Sequence, residues 1–311
     1  MTFALIFPGQ GSQSVGMMNG YGDSSIIRET FTEASEALGE DLWQMASEGP
    51  AERLALTVNT QPLMLTAGIA AYRAWLAAGG PKPTLLAGHS LGEYSALAAA
   101  GALSFTDAVP LVRFRAQAMQ EAVPPGAGAM AALMGLDIED VRAACNEAAQ
   151  GEVVEAANLN APGQIVIAGA KAAVERAMTL ATAKGAKRAV LLPVSAPFHC
   201  ALMKPAAERL RERLATVRIS RPEIDVLNNV DVAVQDDPEK IRDALVRQAF
   251  SPVRWIESVT AMAERGMNRV IECGPGRVLA AMTRRISKDV EGGSLHDAAS
   301  LEQMLTELGR E

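Results

Sequence analysis

The segment Thr84-Leu-Leu-Ala-Gly-His-Ser-Leu-Gly-Glu-Tyr94 restricts the fold of this chain more than any other. Thr84-Leu-Leu-Ala87 has the composition of a short buried strand, and Tyr94 to Ala100 opens an alanine-rich helix. Between them, Gly88-His89-Ser90-Leu91-Gly92 leaves room only for a sharp turn. A serine held between two glycines on a strand-to-helix turn exposes its hydroxyl, and the helix N-terminal amides point toward it. The pentapeptide alone recurs by chance; its position after a buried strand and before a helix marks Ser90 as a nucleophile.

A serine hydroxyl needs a base within hydrogen-bond reach, most often histidine. The chain has three histidines. His89 shares the tight turn with Ser90 and should point elsewhere, and His296 lies in the polar stretch Gly292-Gly-Ser-Leu-His-Asp297, expected at the surface. His199, in Pro193-Val-Ser-Ala-Pro-Phe-His199, is left by elimination, with Pro197 to stiffen its approach. The bland alternative is a histidine packed at a domain junction. Acyl transfer also needs donors for the oxyanion, one from the residue after the nucleophile and one from a glycine-rich loop after another strand. The Leu91 amide and the loop at Gln10-Gly11, behind the apolar strand of residues 3 to 7, meet those requirements. A dinucleotide fingerprint is the rival reading of Gly9-x-Gly11. The third glycine falls at 16, and no acidic residue ends a second strand at the required distance.

Helical patterns fill roughly 24 to 48 and 61 to 78. From Gly126 the rhythm becomes strand 129–133, helix 137–149, strand 153–158, strand 164–168, helix 170–184 and strand 188–193. This βαββαβ order is that of a ferredoxin-like unit, complete within about seventy residues. Afterwards come a charged helix at 205–217, a strand-like 225–229, helices at 238–249 and 253–265, the strand Arg269–Cys273 and a helix through Ser287. The expected fold is therefore α/β. A mainly parallel core is built from 1–125 and 196–311, and a ferredoxin-like subdomain at 126–195 is inserted into it.

With 49% hydrophobic and 21% charged residues the chain has the balance of a globular protein. Its net charge of −7 favours neither nucleic acid nor an anionic membrane. Cys145, Cys200 and Cys273 lack metal-ligand spacing and read as buried filler in a reducing compartment, so neither a metal nor a cofactor is expected. Residues 1–7 read as a strand, not a signal peptide, and no apolar run approaches the roughly 18 residues of a membrane span, so a cytoplasmic protein is expected.

Five motifs in order, Phe7-Pro-Gly-Gln-Gly-Ser-Gln13, Gly88-His-Ser-Leu-Gly-Glu93, Val112-Arg-Phe-Arg-Ala-Gln-Ala-Met-Gln120, Ser195-Ala-Pro-Phe-His199 and Glu272-Cys-Gly-Pro-Gly276, span nearly the whole chain. They resemble the malonyl-CoA:acyl carrier protein transacylases of fatty-acid synthesis. The resemblance implies an α/β-hydrolase-like core with a ferredoxin-like insertion. It also implies a ping-pong reaction in which malonyl passes from coenzyme A to Ser90 and then to the phosphopantetheine thiol of the carrier protein. By the same resemblance Arg115 pairs with the malonyl carboxylate, Gln248 supplies a main-chain carbonyl that orients His199, and Gln61, Asn160 and Phe198 line the pocket. Phe198 departs from the small residue often found there, as in the malonyl-selective modules of polyketide synthases, and is expected to narrow the pocket.

The partners implied are malonyl-CoA, as substrate, and an acidic acyl carrier protein that brings its own phosphopantetheine; a monomer is expected. Arg284, Arg285 and Lys288, or Lys184, Lys187 and Arg188, are the candidate basic docking clusters. Polyketide synthesis and malonate decarboxylation use similar motifs, so the pathway stays open. A serine esterase or thioesterase normally carries its histidine near the C-terminus after an acidic residue, whereas roughly a third of this chain follows His199. A carrier-binding subunit without chemistry is the third reading, and the joint presence of Ser90, His199 and Arg115 argues against it.

Overall fold

In the computed structural model residues 2–309 are described; positions 1, 310 and 311, the ends of the expected core, lie outside the described residues. The chain begins β1 (Phe3–Phe7), α1 (Ser25–Leu38), α2 (Leu42–Glu48), α3 (Ala51–Ala55), α4 (Thr57–Ala77), β2 (Leu85–Gly88), α5 (Gly92–Ala99) and α6 (Phe105–Glu121). It continues β3 (Gly128–Met134), α7 (Ile138–Ala149), β4 (Val154–Ala161), β5 (Gln164–Ala170), α8 (Lys171–Ala183) and β6 (Arg188–Leu191). The last third supplies α9 (Lys204–Ala215), β7 (Asp225–Leu227), α10 (Pro238–Gln248), α11 (Trp255–Glu264), β8 (Arg269–Cys273), α12 (Val278–Ile286), β9 (Glu291–Leu295) and α13 (Ala298–Leu308).

One sheet has the order β7-β2-β1-β8-β9 with every neighbouring pair parallel. Parallel strands need helical crossovers, which cover both faces, so their residues are buried on each side. β1 shows this: Phe3, Leu5 and Phe7 pack into one apolar cluster with α1, α4 and α6, while Ala4 and Ile6 pack on the opposite side with Trp255, Val259 and Met262 of α11. The second sheet is antiparallel, β4-β5-β3-β6, and α7 and α8 cover its own apolar face. This is the ferredoxin-like order, and it interrupts the chain between α6 and α9 as the βαββαβ pattern requires. β4 of the antiparallel sheet is tied to the segment between α10 and α11 by backbone bonds from Leu159 N to Val253 O (2.9 Å) and from Val253 N to Ala157 O (2.8 Å).

Three local features differ from the sequence reading. The expected helix at 24–48 is two helices, because Gly39 adopts a left-handed conformation (φ 72°) and its amide closes α1 on Ser35 O. The stretch expected to be polar surface contains β9, the fifth parallel strand. Glycines depress strand propensity, yet here they are needed: a Cβ on Gly292 would lie 2.5 Å from Ala280 O and one on Gly293 2.7 Å from the Met304 sulfur. His296, just beyond β9, is accordingly half-buried beside Ser294 and Asp297. All three cysteines are free and buried.

The basic clusters are partly engaged: Arg285 donates to Pro162 O and Gln164, and Lys184 sits 3.9 Å from Glu147. Among the described residues no helix is long and apolar enough to cross a membrane, and no group of three or more His, Cys, Asp or Glu side chains could hold a metal.

Candidate active site

The site forms at the C-terminal ends of β1 and β2, where the parallel sheet hands its strands to the loops. β2 ends at Gly88, and Ser90 follows in the left-handed region (φ 52°), a conformation that costs a residue with a Cβ about 1–2 kcal/mol. The flanking glycines make the turn possible. A Cβ on Gly88 would stand 1.9 Å from the Gly92 carbonyl carbon, and one on Gly92 would stand 2.0 Å from Phe7 O. The His89 amide donates to Phe7 O at 3.0 Å, which ties the turn to β1.

Ser90 Oγ lies 2.6 Å from His199 Nε2. His199 comes from the loop between β6 and α9, itself in the left-handed region (φ 61°). Pro197 fixes the approach by packing where a Cβ on Gly128 would be, 2.4 Å from its ring. His199 Nδ1 is 2.9 Å from the main-chain oxygen of Gln248. A carbonyl can only accept, so Nδ1 carries the proton and Nε2 is the acceptor for the serine hydroxyl. Burial first, and then the charge of Arg115, pushes the His199 pKa down to about 3, so the imidazole is neutral at physiological pH.

Arg115, on α6, is 1% exposed. Its guanidinium donates to Gln61 Oε1 of α4 (2.8 Å), to Gln248 Oε1 (2.9 Å) and to Ser90 Oγ (3.1 Å). Its Nε has no partner, and among the described residues no carboxylate lies within ion-pair distance of it. Arginine stays charged even here, so the pocket contains a buried cation held only by neutral acceptors.

Ser90, His199 and Arg115 border a cavity of about 110 Å³. Gln10, Gln61, Leu91, Phe198, His89 and Asn158 line it too, and Met119, Met130, Leu192 and Val194 add an apolar stretch of wall. The Gln10 and Leu91 amides donate to no other protein group among the described residues. After β1 the chain enters no helix at the glycine loop; the next α-helix starts at Ser25, which removes the dinucleotide reading. Asn160 does not border the cavity. Its Oδ1 accepts from His89 Nε2 at 2.9 Å, and Asn158 lines the pocket in its place. A β-bulge is recorded on each side of Asn158 and Leu159, so simple alternation along β4 does not predict which asparagine faces inward. A wider cleft between α12 and β9, lined by Arg269, Arg277 and Arg284, contains no comparable constellation.

Two polar residues in the site escaped sequence reading. Glu93, in the first turn of α5, accepts through Oε2 from the Asn229 amide and from Gln248 Nε2, both at 2.9 Å. Asn229, just after β7, accepts from the Ser90 amide (2.8 Å) and donates to Gly88 O (2.7 Å). The available signal was the pairing of an acid directly after the Gly-x-Ser-x-Gly turn with an asparagine pair ending a strand.

The model of the acyl transferase domain family matches residues 4–307. A malonyl CoA-acyl carrier protein transacylase of Salmonella typhimurium is 53% identical over 306 residues, 98% of this chain and 99% of the relative, and that of Bacillus subtilis is 44% identical over 310 residues, 99% and 98%. The crystal structure of an acyl-carrier-protein S-malonyltransferase from Burkholderia pseudomallei superposes with a TM-score of 0.97 at 60% identity, covering 98% of this chain and all of that one. A malonyl-transacylase solved in complex with a type II PKS acyl-carrier protein superposes with a TM-score of 0.97 at 49% identity, covering 99% of this chain and 100% of that one. The glycine-flanked serine turn, the neutral imidazole and the buried arginine thus sit in a chain that belongs to the acyl transferase domain family and, within it, to the malonyl CoA-acyl carrier protein transacylases.

Proposed function

We propose that this chain transfers malonyl from malonyl-CoA to the phosphopantetheine thiol of an acyl carrier protein through a malonyl ester on Ser90, and so supplies fatty-acid chain elongation. The observation that carries this reading is the buried, carboxylate-free Arg115 guanidinium 3.1 Å from Ser90 Oγ. An acyl group with a free carboxylate gives that cation the paired, charge-assisted hydrogen bonds it lacks, whereas acetyl does not.

His199 Nε2 takes the Ser90 proton as Oγ attacks the thioester carbonyl, and Gln248 O holds the Nδ1–H tautomer. The tetrahedral oxyanion is received by the Leu91 and Gln10 amides. Collapse expels coenzyme A as its thiol, with the proton from His199. The carrier thiol then attacks the ester by the reverse path. A neutral carbonyl stabilises an imidazolium less than a carboxylate does, and the Arg115 charge opposes it further. The substrate carboxylate offsets that charge, so His199 gains basicity when malonyl is in place. The apolar wall of Met119, Met130, Leu192, Val194 and Phe198 limits access of water to the ester. The chemistry uses side-chain and main-chain groups of this chain, with malonyl-CoA as substrate and the carrier protein bringing the acceptor thiol; we place a monomer in the cytoplasm.

Intact-mass analysis after exposure to malonyl-CoA tests the reading. A single malonyl adduct is expected, discharged by holo carrier protein and absent in Ser90→Ala. Release of free malonate outpacing transfer to the carrier thiol would make the enzyme a hydrolase instead.

A further inference from the structure

Both main-chain groups of Ser90 are held by the side chains of two residues, Asn229 and Gln248, that each also donate to one buried acid. The Ser90 amide donates to Asn229 Oδ1 (2.8 Å), and the Ser90 carbonyl accepts from Gln248 Nε2 (2.9 Å). The Asn229 amide and the same Gln248 Nε2 donate to Glu93 Oε2. We propose that Glu93 is a positioning residue for the acyl-transfer step, holding Ser90 in its left-handed conformation through Asn229 and the His199-orienting carbonyl in place through Gln248.

Three features separate this from a helix-terminal acid that merely complements the dipole. Glu93 stands in the first turn of α5, yet the partners of its carboxylate lie on the segment after β7 and on α10. It is 2% exposed, where an ionisable side chain is costly unless its hydrogen bonds are made. Both partners are N–H donors, which a carboxylate suits because it only accepts.

The Gln248 amide is gripped at both ends, its oxygen by Arg115 and its nitrogen by Glu93. Cation and anion are thereby linked across one side chain without touching. The residue whose main-chain oxygen fixes the His199 tautomer cannot turn without breaking that chain of bonds. Burial raises the Glu93 pKa to about 7, with the bonds from Gln248 and Asn229 pulling the other way.

The inference rests on Ser90 being the nucleophile, and the test separates the two. Malonyl transfer to carrier protein and labelling of Ser90 by a small fluorophosphonate are measured in wild type, Glu93→Ala, Glu93→Gln and Ser90→Ala, with the folded fraction of each checked by circular dichroism. For Glu93→Ala, kcat and the labelling rate fall about a hundredfold while KM for malonyl-CoA stays within about threefold, as expected for a small misplacement of reacting groups. Glu93→Gln keeps an acceptor oxygen and recovers at least about tenfold of that loss. Should Glu93→Ala fail to fold, Glu93→Asp, which draws the acceptor back by one methylene, carries the same expectation. Wild-type labelling in the variant lacking the acceptor, or equal losses in the Ala (or Asp) and Gln variants, overturns the role of Glu93. Undiminished transfer by Ser90→Ala overturns the nucleophile itself.

Discussion

Replacing Arg115 by alanine removes two effects that can be measured apart. Malonyl transfer loses its charge-assisted bonds, each worth about 1.5–3 kcal/mol, and should fall at least about a hundredfold further than acetyl transfer. The same substitution removes a charge that lowers the His199 pKa, so the acid limb of Ser90 labelling by an uncharged reagent should move to higher pH. Equal losses for the two acyl groups, or an unmoved limb, would contradict the placement of this cation. Ser90 and His199 were legible as residues, the first from its glycine-flanked turn and the second by elimination among three histidines. Arg115 was not. Arg113 lies two positions away on the same helix and pairs with Glu40, and only the packing of α6 against α4, with Gln248 brought within reach, decides which arginine is buried.

At the scale of elements, the strand-turn-helix unit tolerates no side chain at its glycines. Gly88→Ala drives a methyl into the backbone of Gly92, and moving backbone costs at least the roughly 3 kcal/mol upper range of ordinary overpacking. Urea denaturation should show that loss together with loss of Ser90 labelling. The βαββαβ order was visible in the alternation of apolar runs with amphipathic helices, and the antiparallel sheet follows it within a residue or three at each boundary. β9 was invisible for the opposite reason. Its two consecutive glycines carry no apolar signal, and their value lies in the space they leave for Ala280, Ile271 and Met304. Asn160 shows the same limit at a strand end, where the bulges flanking Asn158 and Leu159 decide which asparagine meets the cavity.

For the whole molecule, buried neutral histidine ties stability to pH. His199 titrates near 6.5 when exposed and is pushed down to about 3 here, so below pH 6.5 the unfolded chain binds a proton that the folded one refuses. Stability therefore falls as pH drops from 6.5 toward 3. His199→Gln should flatten the dependence of the urea midpoint on pH between about 6 and 4, and an unchanged slope would contradict the burial of the imidazole. The sequence by itself determined what short-range pattern can carry: an α/β chain, a serine elbow after a buried strand, and an inserted split unit. Each follows from periodicity and from the few residues that fit a tight turn. Only the tertiary structure decided which arginine is buried without a carboxylate, that Gln248, expected by resemblance to turn its main chain to His199, also gives its amide to Ser90, and that Glu93 closes the bracket behind them. Those contacts join residues 49 to 158 positions apart in the chain, and their geometry is set by how helices pack across a parallel sheet, which no local pattern records.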